Sequence, residues 1–266
     1  MSRGFVTIAT GSDKYFKLAA NLLRSYRLYS PEPEPFAIIC DRLNEYTDLF
    51  DEAVVMDDPQ RSYVDKIRLP EYIPFDENIF IDADCLAYKD LNDFWQAFEG
   101  ADDFSVFGRN YPLDYRYGWF RPEDIGVYKD KVSYIPDFIG GVYFLRKTEE
   151  LEDFSKTCNH VWATYYDYKF RQFEDPCDEP VFALSMALHG YRTAGNRSPD
   201  ICFYPHTTYF QSDISEGTVK YSDRYQKERG VIPEAYMVHW GSGNTRQDAY
   251  LKEEYRLNWA NKGKKA

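Results

Sequence analysis

The sequence predicts an α/β fold in which a mostly parallel central sheet carries helices on its faces. Three observations predict it. The apolar runs Phe5–Ala9, Phe36–Cys40, Ala53–Met56 and Ile79–Ile81 are continuous rather than alternating, as strands buried on both faces are. Segments with helical spacing fall between these runs, which is the rhythm of strand–helix–strand units. The strands also end in polar residues: Thr10–Asp13, Asp41 and the pair Asp82/Asp84 each follow an apolar run. In open α/β sheets ligands sit at the carboxyl ends of the strands, so these groups can line one crevice.

The elements follow in order. After the first strand, Ser12 or Asp13 can cap a helix whose inner face is Phe16, Ala19, Ala20, Leu23 and Tyr26. Pro31, Pro33 and Pro35 close that helix before the second strand. Tyr63 to Leu69 reads as a short helix stopped by Pro70, and Leu91 to Phe98 as a small helix after the Ile79 strand. From Arg109 to Asp137 no period fits; tyrosines, Trp119 and Phe120 interleave with Arg116, Arg121, Pro112 and Pro122, so the stretch reads as a long excursion from the sheet. Gly140-Gly141 leads into a strand at Val142–Leu145, followed by a helix from Glu149 to Tyr168. Asp178 caps the next helix, with Pro180 in its first turn and Val181, Leu184, Ser185 and Leu188 on its inner face. A last strand, Ala235–Val238, delivers His239-Trp240-Gly241-Ser242-Gly243, and a final helix runs from about Gln247 to Trp259. The tail is basic, with Lys262, Lys264 and Lys265. No repeat or low-complexity block interrupts residues 1–266, so a single domain is expected.

The whole arrangement centres on Asn78-Ile-Phe-Ile-Asp82-Ala83-Asp84. Alternate residues of an extended chain point the same way, so Asp82 and Asp84 can share one ligand. Two carboxylates meeting at a strand end are costly to desolvate unless a positive charge lies between them. A hard divalent cation that also grips phosphate oxygens answers that need, although Asp-x-Asp also serves merely to cap turns. Of the histidines, His160, His189 and His206 fall in structural contexts. His239 ends a strand before a glycine-rich turn, which suits a metal ligand beside a phosphate site.

Composition narrows the function. The 266 residues are 44% hydrophobic and 18% aromatic, with 24 tyrosines, which is enough for a real core and for surfaces that present rings. The net charge of -12 argues against a nucleic-acid groove or an anionic membrane surface as the main partner. Five scattered cysteines without a Cys-x-x-Cys suit a reducing compartment. With no apolar run of membrane-spanning length and no leader before the first strand, the expected location is cytoplasmic.

Four segments resemble the retaining glycosyltransferases of the glycogenin and lipopolysaccharide galactosyltransferase family, which have the GT-A fold, a Rossmann-like sheet with flanking helices. They are Phe5–Thr10 with Asp13 and Tyr15, Lys66-Ile-Arg68-Leu, Ile79–Asp84, and Val238-His239-Trp-Gly. The resemblance implies a UDP-sugar donor, a Mn²⁺ or Mg²⁺ ion held by Asp82, Asp84 and His239, and nucleotide contacts from Thr10, Tyr15 and Lys66. It places Ala83, Gly241 and Gly243 beside the pyrophosphate, and Asp178 or Glu179 against the sugar, where a carboxylate can stabilise a cationic carbon. The acceptor implied is a saccharide or other hydroxylated compound, held by the aromatic excursion. The chain departs from the family pattern in having Ile139 before Gly140-Gly141, Asp178-Glu179-Pro180 in place of Asp-Gln-Asp, and Thr245 with Arg246 where a lysine usually stands. Other readings fit less well. A sugar nucleotidyltransferase would carry a glycine-rich basic loop where Thr10–Lys14 has one glycine, and a dehalogenase-type phosphatase would not have Leu86 after its motif. A nucleotide-sugar or glycan binder without turnover shares every feature above.

Overall fold

The computed structural model describes residues 1–114, 122–167, 177–195 and 199–263. Its centre is a six-stranded sheet in the order β3-β2-β1-β4-β7-β6. These strands are β1 (Arg3–Ala9), β2 (Phe36–Cys40), β3 (Glu52–Val55), β4 (Glu77–Ile81), β6 (Phe104–Pro112) and β7 (Tyr134–Arg146). The first four in chain order run parallel, and β7 pairs antiparallel with both β4 and β6. Neighbouring residues of one strand point into different cores, as the pleat requires. Phe5, Ile38, Ile79 and Phe144 enter one core, whereas Val6, Ile39, Phe80 and Tyr143 enter the other. Both faces are therefore buried, which is why the strands read as unbroken apolar runs.

On the first face lie α1 (Asp13–Tyr29), α7 (Asp248–Gly263) and a second sheet, β5-β11-β8, made of Cys85–Ala87, Met237–His239 and Ile201–Phe203. On the second face lie α2 (Tyr63–Ile67), α3 (Leu69–Tyr72), α5 (Glu149–Ala163) and α6 (Asp178–His189). The short α4 (Asp93–Ala97) follows β5, and the strands β9 (Thr207–Asp213) and β10 (Thr218–Asp223) form an antiparallel hairpin. Ser12 caps α1 by accepting from the Lys14 N–H, and all of the expected inner face of that helix is buried.

Several boundaries differ from the sequence reading. Pro70 does not end a helix; it opens α3, in a first turn that needs no N–H from it. The strand expected at Val142–Leu145 runs from Tyr134 to Arg146, so Gly140-Gly141 lies inside it. Together with β6 it turns both ends of the expected excursion into sheet. Residues 115–121, including Tyr115, Arg116, Tyr117, Trp119, Phe120 and Arg121, lie outside the described residues. The helix expected to reach Tyr168 stops at Ala163, where Thr164 ends it; Tyr168 is outside the described residues. No helix of the described residues is long and apolar enough to cross a membrane.

The C-terminal helix is tied down by a buried carboxylate. Glu253, 1% exposed, accepts from the Tyr88 hydroxyl at 3.0 Å, the Ile214 N–H at 2.6 Å and Arg256 Nη1 at 2.6 Å. Glu253→Ala leaves these donors buried without their acceptor and is expected to cost about 3 kcal/mol, the lower end for breaking a buried charged pair. Urea unfolding followed by fluorescence measures it, and a loss under about 1 kcal/mol, the worth of an ordinary hydrogen bond, would show that α7 is held by its apolar contacts alone.

Candidate metal centre

The centre is assembled where the two sheets meet. β4 ends at Ile81, and the Asp82 N–H still donates to the Gly141 carbonyl of β7 at 2.9 Å. The chain then turns, with Cys85 N–H donating to the Asp82 carbonyl at 3.1 Å, and enters β5. Antiparallel pairing of β5 with β11 sets Cys85 opposite His239, and Trp240 N–H donates to the Asp84 carbonyl at 3.1 Å. Register alone therefore brings a residue far along the chain to the Asp-x-Asp turn. His239 Nε2 lies 3.2 Å from Asp84 Oδ1 and 3.6 Å from Asp82 Oδ2.

The glycine pair of β7 makes room for this. Gly141 has φ 142°, and a Cβ there would stand 2.7 Å from His239 Nδ1. A Cβ on Gly140 would stand 2.7 Å from the Tyr143 hydroxyl and 2.9 Å from Glu179 Oε1. Both glycines are needed because the strand backbone itself is one wall of the site.

The donor set fits a hard divalent cation. Asp84 Oδ1 is buried, and the one polar group facing it is His239 Nε2 at 3.2 Å, a contact short of a well-formed hydrogen bond. A charged oxygen left in that state is costly unless something positive can take it. Two carboxylates and an imidazole suit Mn²⁺ or Mg²⁺. Asp84, Cys85 and His239 have donor atoms within 4.8 Å of one another, but burial pushes the Cys85 thiol well up, so it stays neutral and is no ligand for a hard ion. Burial works against charge on Asp84 and His239 alike, yet their mutual attraction wins, lowering the Asp84 carboxyl and raising the imidazole. Asp82 is pushed up, chiefly by burial and against the pull of Lys66.

Lys66 projects from α2 between two carboxylates. Its Nζ is 3.1 Å from Asp82 Oδ1 and 2.8 Å from Asp178 Oδ2. Burial opposes the ammonium, but Asp178 and Asp82 more than offset it and hold the group well above its usual range. Asp178 also accepts from the Tyr143 hydroxyl at 2.7 Å. The expected role of Asp178 as a helix cap is not seen: Cys177 occupies the cap position without a side-chain bond, and the Asp178 carboxylate turns into the site. Beside it, Glu179 accepts from the Gly140 N–H. Burial, then the charge of Asp178, pushes the Glu179 carboxyl up to about 7.

The first-strand turn forms the other wall. Thr10 donates its hydroxyl to Asp65 Oδ2 at 2.8 Å, and the buried Asp65 also accepts from the N–H groups of Gln60 and Arg61. Asp41 accepts from Gly11 N–H at 3.0 Å and pairs with Arg42 and Arg61, so it shapes the turn and points no free oxygen at a ligand. Tyr15 is 37% exposed at the start of α1. Lys14 donates to the Ser242 carbonyl at 2.6 Å, inside the Gly241–Gly243 turn, where Gly241 takes φ 71°. Burial, then the nearby Arg246, lowers the Lys14 ammonium, while Asp84 pulls the other way. Lys14 and Tyr143 are site residues that the sequence did not mark: a lysine in a first helical turn and a tyrosine in a strand carry no signal of their own. His189 bonds Thr157 at 2.7 Å, and His206 meets the rings of Phe203 and Tyr225 edge-on.

No family model and no curated protein sequence matches the chain. Solved structures do. The galactosyltransferase LgtC, in complex with donor and acceptor sugar analogs, superposes with a TM-score of 0.56 at 15% identity, over 96% of this chain and 95% of that one. The fold is GT-A. An active-site mutant of LgtC, with glutamate in place of glutamine, matches with a TM-score of 0.54 at 15% identity, over 98% of this chain and 95% of its own. The glycosyltransferase GlyE of Streptococcus pneumoniae TIGR4 overlaps with a TM-score of 0.48 at 10% identity, over 73% of this chain and 45% of its own.

Gly141→Ala tests the geometry without touching a donor atom. The added methyl must push His239 aside, and Mn²⁺ affinity measured by calorimetry is expected to fall roughly 10- to 100-fold, the range for lost support of a metal ligand. Unchanged affinity in a folded variant would take His239 out of the centre.

Proposed function

We propose that the chain is a metal-dependent, retaining glycosyltransferase that moves a hexose from a UDP-sugar to a hydroxyl acceptor. The observation that carries this reading is the convergence of Asp82, Asp84 and His239, with a buried Asp84 oxygen that has only the imidazole beside it, at the carboxyl end of β4 in a GT-A fold. Those three residues would hold Mn²⁺ or Mg²⁺, which when bound acts as a Lewis acid toward a diphosphate leaving group. Around it the protein supplies its own positive groups to an otherwise acidic molecule. Lys14 and Arg246 flank the Gly241–Gly243 turn, whose backbone N–H groups suit phosphate oxygens, and Lys66 lies across the crevice. Tyr15 offers a half-exposed ring for the base, and Thr10 fixes the turn beneath it.

The sugar would rest against α6. Asp178, clamped by Lys66 and Tyr143, is positioned to take sugar hydroxyls rather than to move. Glu179, with its carboxyl pushed up to about 7 and held by the Gly140 N–H, would face the anomeric carbon and stabilise developing positive charge there once ionised. Reaction on one face of the sugar, with leaving group and acceptor both on the metal side, retains configuration. The acceptor proposed is saccharide-bearing, from the aromatic and basic composition of residues 109–137.

Release of UDP from a panel of UDP-sugars, with and without Mn²⁺, tests the reading; metal-dependent binding with no release from any donor would make the chain a binder without turnover. Asp84→Ala and His239→Ala are each expected to abolish turnover, and a variant that keeps full Mn²⁺-dependent activity would lose its place as a ligand. Lys66→Ala is expected to weaken UDP binding by on the order of 1–3 kcal/mol, the worth of a hydrogen bond to a charged group. Calorimetry with unaltered UDP affinity would confine Lys66 to pairing Asp82 with Asp178.

A further inference from the structure

The Asp-x-Asp turn is followed at once by a thiol. Cys85 stands directly after Asp84 and directly opposite His239 in the pairing of β5 with β11. Residues paired in this way put their side chains on one face of the ladder, so thiol and imidazole are neighbours. Asp84, Cys85 and His239 have donor atoms all within 4.8 Å of one another, and among the described residues they are the one group of three or more His, Cys, Asp or Glu to lie so close. The group is shielded from water. Cys85 is 0% exposed and His239 8%, and the buried Asp84 Oδ1 has only the imidazole beside it.

Two donor sets therefore overlap in one centre. Asp82, Asp84 and His239 offer two carboxylates and a nitrogen, which suit a hard ion. Asp84, Cys85 and His239 offer oxygen, sulfur and nitrogen, which suit a softer one; three protein ligands with a fourth position open are a common zinc arrangement. Zinc holds such donors at about 2.0–2.3 Å, which sets them roughly 3.3–3.8 Å apart around a tetrahedron. His239 Nε2 and Asp84 Oδ1 already stand 3.2 Å apart. Asp82 is meanwhile held by Lys66 at 3.1 Å and is not needed for the second set. Burial keeps the free thiol protonated, so it stands aside from Mn²⁺ or Mg²⁺. A thiophilic ion instead takes the sulfur as thiolate and sends the proton to solvent. Elsewhere the cysteines have duller surroundings: Cys40 donates to the Val54 carbonyl, and Cys158 and Cys202 lie in the apolar cores.

We propose that Asp84, Cys85 and His239 form a second, thiolate-containing site for Zn²⁺ or another thiophilic divalent ion, overlapping the site for Mn²⁺ or Mg²⁺. Both sites use Asp84 and His239, so the two kinds of ion exclude each other. A thiophilic ion thereby displaces the one that the proposed reaction uses. The inference rests on the reading that Asp84 and His239 bind metal, and adds Cys85 and a competing cation to it.

Cobalt(II) makes the sulfur ligand visible. Titration of the metal-free full chain with Co²⁺ is expected to give a near-ultraviolet thiolate-to-cobalt charge-transfer band, absent in Cys85→Ala and in His239→Ala. By calorimetry Cys85→Ala is expected to bind Zn²⁺ at least about tenfold more weakly, since even the outer support of a metal ligand is worth that much, while its Mn²⁺ affinity holds. Zn²⁺ added to the Mn²⁺-loaded chain is expected to release Mn²⁺, read as the free-ion signal in electron paramagnetic resonance. Co²⁺ binding without the band overturns the proposal, as does a band that survives His239→Ala, or Zn²⁺ affinity that a folded Cys85→Ala leaves unchanged. The cobalt spectrum of the unaltered chain decides the matter even where Cys85→Ala does not fold. Mn²⁺ binding with no thiolate band removes the second site alone. Failure to bind Mn²⁺, Co²⁺ and Zn²⁺ alike removes the metal centre with it.

Discussion

The front of the sheet depends on a shortage of positive charge. Asp82, Asp84, Asp178 and Glu179 converge on one crevice, and Lys66 is the ammonium that bridges two of them. One lysine and one imidazole cannot neutralise four carboxyl groups. Burial, with the neighbouring carboxylates added to it, pushes the Asp82 and Glu179 carboxyls up, while Asp178 and Asp82 hold the Lys66 ammonium well above its usual range against the cost of burial. A cluster built this way costs stability unless a cation completes it, and natural sites tolerate that cost where charge is used. Under the proposed function, a divalent ion held by Asp82, Asp84 and His239 would relieve the deficit and give a diphosphate a place to bind an acidic protein.

Holding these groups together is a matter of backbone more than of side chains. β4 supplies the Asp-x-Asp turn, β11 supplies His239 through its register with β5, and β7 closes the back through the Gly140-Gly141 backbone. Behind them Phe80 stacks on Tyr143 with ring centroids 5.3 Å apart, and Tyr143 packs against Phe182 of α6. The tyrosine thus links strand packing to the Asp178 carboxylate that its hydroxyl holds. Displacement of α6 would pull Asp178 away from Lys66 and from the Tyr143 hydroxyl.

Much of this was legible in the sequence, for physical reasons. Ile79–Ile81 is apolar on both faces and stops abruptly at charge, so a buried strand ending in a site could be read directly. Ser12 as a cap and His239 before a glycine turn were readable because those residue types have few other uses in such places. The hairpin of β6 and β7 was not, since Pro136 and the glycine pair break the alternation that marks a strand, although both lie within one. A three-residue strand such as β5 is too short to show any period. Asp178 was read both as a cap, which local chemistry favours there, and as a carboxylate facing the sugar; the partner that draws it away from the cap, Lys66, lies far away in sequence. Lys14 likewise acquires meaning through Ser242, at the other end of the chain.

That last contact belongs to a larger arrangement. Trp240, next to His239, packs its ring on Tyr250 of α7 at 5.4 Å between centroids. Lys17 and Asn21 of α1 hold Glu254, and Lys14 one turn earlier holds the Gly241–Gly243 turn. Helices α1 and α7 are therefore fastened to each other and to β11, the strand that carries His239, by these contacts.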